Sequence, residues 1–265
     1  FQAEDGIRDR SPSRGLGDVY KRQAEWDSLN GGDGMTTLLD PSNSNVLYGS
    51  GPDGDLFRIR IAQQSVARIT VGIDLKEESE WVAPIAIHPS IPATLLTGRE
   101  RVYMSDNNGD SWRPISPRFS HTVTSIAVSP ADDDLFWAVG SYGDVVRSTD
   151  FGASWTSVHK APLSLLYISD IACARNDRNV AWITYSSYGT SQVWKTTDLG
   201  ESWWPVWNHM PNVPVNTIVL HPDDDEVAFV GTDIGVFATY DGGRSWSQFG
   251  VGLPRSPVLL SLIHI

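Results

Sequence analysis

Two kinds of side chain in this 265-residue chain can do chemistry, carboxylates and aromatic rings, and neither falls into a spacing that names a reaction by itself. General acid and base work needs two carboxylates facing each other across a cleft. Glu77, Glu78, Glu80, Asp144, Asp170 and Asp233 are available for it, but acids are too common along the chain for spacing to select a pair. A second set is Tyr142, Tyr185, Tyr188, Trp207, His209 and Asp233, joined by His159, Tyr167 and the acidic stretch 74–81. Rings beside carboxylates and amides can stack on flat ligand faces and bond their hydroxyls. The alternative for such rings is to seal neighbouring structural elements. Catalytic residues stay unassigned, and no residue set calls for a metal or another cofactor. The acidic runs Asp132-Asp133-Asp134 and Asp223-Asp224-Asp225-Glu226 lack an ordered calcium-ligand spacing and read as solvated turns. His88 and His221 stand in identical His-Pro turns, so they belong to a repeat and not to a metal site. Gly31-Gly32-Asp33-Gly34 precedes a strand, not a helix, which excludes a phosphate cradle.

The elements that must position these residues repeat. Four stretches share the pattern Ser/Thr-x-Asp-x-Gly-x-Ser-Trp: Ser105 to Trp112 (with Asn107 and Gly109), Ser148 to Trp155 (Asp150, Gly152), Thr196 to Trp203 (Asp198, Gly200) and Thr239 to Trp246 (Asp241, Gly243). Their tryptophans are spaced by 43, 48 and 43 residues. An Asp in a tight turn accepts backbone N–H bonds, Gly supplies a positive φ, and the Trp opens the next strand. Each box is therefore a hairpin connection. Around each lie short alternating runs, as in Val123–Val128, Leu135–Val139, Asp144–Arg147 and Ser154–Val158, giving four strands per repeat. Four-stranded repeats with a period in the forties specify an all-β propeller. The pattern yields five blades. The first, from Met35 to Ile59, has lost its box, and Pro257-Val258-Leu259 is placed to begin a sixth.

The boxes resemble the Asp-box (BNR) repeat of sortilin-like, xyloglucanase-like and sialidase-like propellers, over about residues 26–258. Asn107 stands where that family carries Asp, and can make similar turn bonds. In such a propeller the boxes and the loops joining first to second strands share one face. The loops joining second to third strands, and one blade to the next, share the opposite face around the channel. The resemblance thus implies structural boxes and a ligand face carrying Tyr142, Tyr185, Tyr188, Trp207, His209 and Asp233. A sialidase needs an arginine cluster, a tyrosine with its glutamate and an acid/base aspartate. Phe57-Arg58-Ile59-Arg60 is similar to a motif of that family, but Arg60 replaces its proline and the third-strand slot already explains the segment. The expected function is a non-catalytic scaffold binding a glycan or a protein. The alternative is a glycoside hydrolase, xyloglucanase-like before sialidase-like, and a third class is an assembly factor similar to the propeller that helps build photosystem complexes.

Residues 1–23 belong to no blade and resemble translated sequencing-adapter read-through, as does 261–265, so the propeller segment is 24–258 and 259–265 is a non-native or incomplete next-blade tail. The net charge of −12 disfavours nucleic acid and anionic membranes as partners. No stretch is apolar and long enough for a bilayer. The lone Cys173 lies in an apolar strand as a small buried hydrophobe, so no disulfide framework exists. Eleven tryptophans and many polar turns suit an exported bacterial protein, secreted or at the cell surface, with its signal peptide in a missing N-terminus. Oligomeric state is not legible.

Overall fold

The computed structural model describes residues 35–250, 252 and 255–259; the adapter-like segment, Gly31–Gly34 and the tail beyond Leu259 lie outside them. The described chain forms five four-stranded antiparallel sheets. Blade one holds β1 (Thr37–Leu39), β2 (Val46–Ser50), β3 (Leu56–Arg60) and β4 (Ser65–Arg68). Blade two holds β5 (Ile85–Ile87), β6 (Leu95–Gly98), β7 (Val102–Ser105) and β8 (Arg113–Pro114). Blade three holds β9 (Val123–Val128), β10 (Phe136–Gly140), β11 (Val145–Ser148) and β12 (Thr156–Ser157). Blade four holds β13 (Ile168–Cys173), β14 (Ala181–Tyr185), β15 (Val193–Thr196) and β16 (Trp204–Pro205). Blade five holds β17 (Val215–His221), β18 (Asp224–Thr232), β19 (Gly235–Thr239) and β20 (Ser247–Phe249). Each sheet is a simple meander in chain order. The first strands of successive blades lie side by side, β5 with β9, β9 with β13 and β13 with β17, and form the inner edge.

The core is a series of seams between blades, because strand alternation gives each sheet two apolar faces. In β14, Ala181, Ile183 and Tyr185 turn toward blade three while Trp182 turns toward blade five. In β10, Phe136 and Ala138 face blade two, and Trp137 and Val139 face blade four. Complete burial of one such large side chain contributes about 1.5–3 kcal/mol. The box tryptophans close the seams edge-on. Trp203 meets Trp137 at 6.1 Å between centroids, and Trp246 meets Trp182 at 6.4 Å.

Each box is a small hydrogen-bonded cage. In the second, Ser148 donates to the Asp150 carboxylate and accepts from the Gly152 N–H at 2.8 Å, while the same carboxylate accepts the Ser154 N–H at 2.8 Å. Asn107 fills the part with one oxygen, which accepts from Ser105 and from the Ser111 N–H. The turn demands left-handed backbone at two successive residues: φ is 57° at Phe151 and 82° at Gly152, and 59° at Leu199 and 82° at Gly200. Glycine at the second place is also a matter of room. A Cβ on Gly200 would come within 2.9 Å of the Val158 side chain.

The cage clamps the preceding blade. Ile69, Ile115, Val158 and Val206, each following a fourth strand, pack on Gly109, Gly152, Gly200 and Gly243 of the next box. The indole N–H groups of Trp112, Trp203 and Trp246 donate to the carbonyls of Ile69, Val158 and Val206; the Trp155 indole N–H has no partner. Arg58 reaches Asp110 at 2.8 Å and Arg147 reaches Glu201 at 3.0 Å, the same box position one blade on. Arg58 therefore holds blade two in place, as its third-strand slot suggests.

The turns between first and second strands do lie beside the boxes: Phe151 N–H donates to the Asp134 carbonyl, Leu199 to Asn179 and Gly242 to Glu226. Asp133, Asp134, Asp223 and Asp224 are exposed, as solvated turns require, but two acids of these runs are engaged across seams. Asp132 pairs with Arg178 at 2.7 Å, and Asp225 accepts the N–H groups of Arg175 and Asn176. His88 accepts two N–H groups on Nδ1, which leaves Nε2–H to donate to the Asp133 carbonyl at 2.9 Å. Among the described residues no cluster of His, Cys, Asp or Glu has the geometry to hold a metal, and no helix is long and apolar enough to cross a membrane.

Candidate functional site

On the side away from the boxes, each blade's inner strand begins next to the end of its second strand. Ser141 N–H donates to the Thr122 carbonyl, Ser186 to Tyr167, and Asp233 to Pro214. This repeated contact gathers the loops between second and third strands and those between blades into one inner rim. His159 joins it by a 2.7 Å bond to the Gly143 carbonyl, and Asn212 by accepting from Gly189 N–H and the Gln192 amide.

The rim carries side chains that no repeat dictates. Glu80, from the connection between blades one and two, bonds Thr122 with one carboxylate oxygen and accepts the Tyr167 hydroxyl on the other at 3.2 Å. Thr122 in turn meets Ser141 at 3.0 Å. Burial and the neighbouring Glu80 charge push the Tyr167 phenol well above its ordinary pKa, so it stays a neutral donor. Further along, Ser186 donates to Asn216 at 2.9 Å, and Asn216 donates to Asp233 at 3.0 Å. The result is a polar arc from Glu80 through Tyr167 and Ser186 to Asp233, spanning blades three to five. Exposed apolar groups border it: Trp81, Tyr142, Leu165, Leu166 and Tyr188. Tyr142 stacks on His121 with centroids 5.3 Å apart.

The carboxylates expected to be interchangeable separate by environment. Asp170 is partly buried and its carboxylate saturated, accepting from Ser125, Thr217, its neighbour's N–H at Ile171 and the Ile218 N–H. It ties the inner strands of three blades; burial raises its pKa against the pull of those donors. Glu77 is buried against Arg101 at 3.2 Å. Asp144 holds Ser120 through its N–H at 2.9 Å. Glu80 and Asp144 thus stand at the rim with surface access, whereas Asp170 is a staple.

Three expected ligand-face residues are not on the arc. Tyr185 is fully buried, its hydroxyl bonded to the Ser164 carbonyl at 3.1 Å, because its strand parity turns it into the seam with blade three. Trp207 packs against the seam of blades four and five, and neighbouring Asn208 donates to the Arg244 carbonyl inside the fifth blade's box. His209, exposed with φ of 65°, follows one residue later. The chain leaving β16 passes the fifth blade's box before it reaches the rim at Pro214. Tyr142 and Tyr188 are exposed in the loops that carry Ser141 and Ser186, and Asp233 accepts from Asn216 at the end of the arc. The Glu80–Tyr167 pair, 87 residues apart, has no local sequence signal.

The arginines of this side are engaged. Arg99 donates to the carbonyls of Glu77 and Asp53, Arg101 pairs with Glu77, and Arg118 with Glu100.

Residues 100–206 match the family model described as sortilin, neurotensin receptor 3 (Sortilin-Vps10). A xyloglucanase of Hypocrea jecorina is 24% identical over 164 residues, covering 60% of this chain and 18% of that protein. Among solved structures, an ancestral GH74 enzyme superposes with a TM-score of 0.69 at 18% identity, covering 87% of this chain and 33% of that one. The GH74 enzyme of Niastella koreensis gives 0.63 at 16% identity, covering 81% and 38%. The chain therefore spans about a fifth to two fifths of the length of these proteins. Its fold is that of a β-propeller fragment with Asp-box hairpins, similar to those of these enzymes.

Proposed function

We propose that the inner rim binds a neutral polysaccharide chain, with xyloglucan as the first ligand to try. The observation that carries this reading is a carboxylate, Glu80, held between Thr122 and Tyr167, with the exposed rings of Trp81 and Tyr142 next in the chain to Glu80 and Ser141. Rings offer flat apolar platforms to sugar faces, and a carboxylate accepts from paired hydroxyls. A sugar acid would meet the Glu80 charge while Arg99, Arg101 and Arg118 are already occupied, so uronate and sialate ligands are disfavoured. The likeness to a xyloglucanase supports the same ligand class. A polysaccharide of this kind lies outside cells, so the reading carries export with it.

Hydrolysis is the second reading. It is favoured by the presence of Glu80 and Asp144 together at the rim, two carboxylates being what glycosidic cleavage requires. The chain is to be titrated with xyloglucan, with a mixed-linkage glucan and with polygalacturonate, and reducing ends followed with time. Binding to the neutral polymers without turnover is the expected result. Turnover abolished by Glu80→Gln or Asp144→Asn would convert the assignment to a hydrolase; binding to polygalacturonate alone would reject it.

A further inference from the structure

The connection that carries Glu80 turns at Asp74, whose carboxylate and carbonyl accept the Lys76 and Glu77 N–H groups. Beyond that turn its main chain is held from blade two, by Arg99. The Arg99 guanidinium, in a residue only 6% exposed, donates through Nε and Nη2 to the Glu77 carbonyl at 3.0 and 2.8 Å. Through Nη1 it donates to the Asp53 carbonyl at 3.0 Å. A Cβ on Gly54 would strike both this guanidinium and the Ser79 hydroxyl, so glycine lets the turn between β2 and β3 close over them.

These bonds all go to main-chain oxygens, because the Glu77 carboxylate is taken by Arg101 instead. Burying a cation among neutral carbonyls costs desolvation energy that they only partly offset, while the planar fork fixes the direction of what it holds. The repeat does not ask for this side chain. Arg99 N–H donates to the Arg101 carbonyl, the contact that Gly51 makes to Asp55, Gly140 to Asp144 and Tyr185 to Gln192. Its equivalents are thus two glycines and a tyrosine. The main chain of Arg99 then closes a ring. Its carbonyl accepts the Val123 N–H at 2.7 Å, and the residue before Val123 is Thr122, which bonds the Glu80 carboxylate. One residue therefore grips the chain just before Glu80 and just after Thr122, on both arms of that bond.

We infer that Arg99 is the positioning residue of the rim: it sets how Glu80 meets Thr122 and Tyr167, and so where Trp81, next in the chain, is held. Arg99 matters to a ligand only if the rim binds one, as proposed, whereas its hold on Glu80 can be seen without any ligand.

In the full chain, Arg99→Lys keeps the charge and loses the fork, and Thr122→Val removes the bond to Glu80. The ring resonances of Tyr167, assigned with Tyr167→Phe, report its contact with Glu80, and Glu80→Gln marks their position when that contact changes. Arg99→Lys is expected to move them toward the Glu80→Gln position and to speed amide exchange across 77–82. It should also weaken binding of a xyloglucan oligosaccharide about three- to tenfold. In a Thr122→Val background the same change at Arg99 should add little, because both act through one bond. Gly54→Ala, which presses on the guanidinium from the far side, should move the same resonances. Tyr167 resonances that stay put in folded Arg99→Lys or Gly54→Ala overturn the inference, as do effects of Arg99→Lys and Thr122→Val that simply add. Resonances that move in a chain that binds no xyloglucan would uphold the role of Arg99 and reject the ligand assignment alone.

Discussion

The two sides of these blades are built on opposite plans. On the box side four cages repeat one plan: a serine or threonine at the start, an acid or amide two residues on, a left-handed pair, and a tryptophan whose indole N–H bonds the previous blade in three of the four. On the inner rim a single repeated backbone contact holds loops whose side chains vary: Thr122 and Ser141 on blade three, Tyr167 and Ser186 on blade four, Pro214 and Asp233 on blade five. Repetition serves stability because every seam poses the same packing problem. Divergence at the rim costs little, since those side chains are not needed to close a seam, and a ligand can select among them.

The largest effect that can break this comparison is on the box side. Trp203→Ala removes a ring that is 2% exposed and fills the seam against Trp137. It should destabilise the chain by about 3–5 kcal/mol in denaturant titration. A change under about 1 kcal/mol would mean that the boxes do not clamp the blades.

Next comes Asp170, the one rim-side acid assigned to structure. Asp170→Ala strands two hydroxyls and two N–H groups and should cost about 3 kcal/mol, measured the same way. Stability near wild type with altered ligand binding would return Asp170 to the functional set.

A smaller effect separates the boxes from one another by pH. Bonds from Ser245 and Thr239 hold the Asp241 carboxyl down at about 2, and similar bonds lower Asp150 and Asp198. Because the folded values lie below the unfolded ones, this contribution is complete above about pH 4 and is lost as pH falls toward 2. The first box, with Asn107, has no such proton to bind. Hydrogen exchange at pH 3 should therefore show the last three box turns opening before the first. Uniform opening would show that the carboxylates contribute nothing specific.

Much of this architecture is legible in the sequence because it is periodic. The four boxes, the strand runs and the boxless first blade all announce themselves by spacing, and the five sheets follow. The site is less legible for physical reasons that particular residues expose. Glu80 meets Tyr167 only because two blades intervene between them. Tyr185 stands next to a rim loop, yet it shares parity with Ala181 and Ile183, a signal that was present in the alternation and points inward. Trp207 follows β16, where its neighbour Asn208 is held by the next box, whereas His159 at the equivalent place after β12 bonds a rim carbonyl, so position after a fourth strand does not decide the face. Asp170 lies within the apolar alternation of β13, where nothing local reveals the four donors that converge on it.

The central claim is that ligand recognition belongs to the rim and not to the boxes. Trp81 and Trp204 test it as a matched pair, since they are 56% and 55% exposed, one beside Glu80 at the rim and the other directly after a box. Calorimetric titration of a xyloglucan oligosaccharide should give an affinity about three- to tenfold weaker for Trp81→Ala and unchanged for Trp204→Ala. Unchanged binding for Trp81→Ala with a loss for Trp204→Ala would contradict the account.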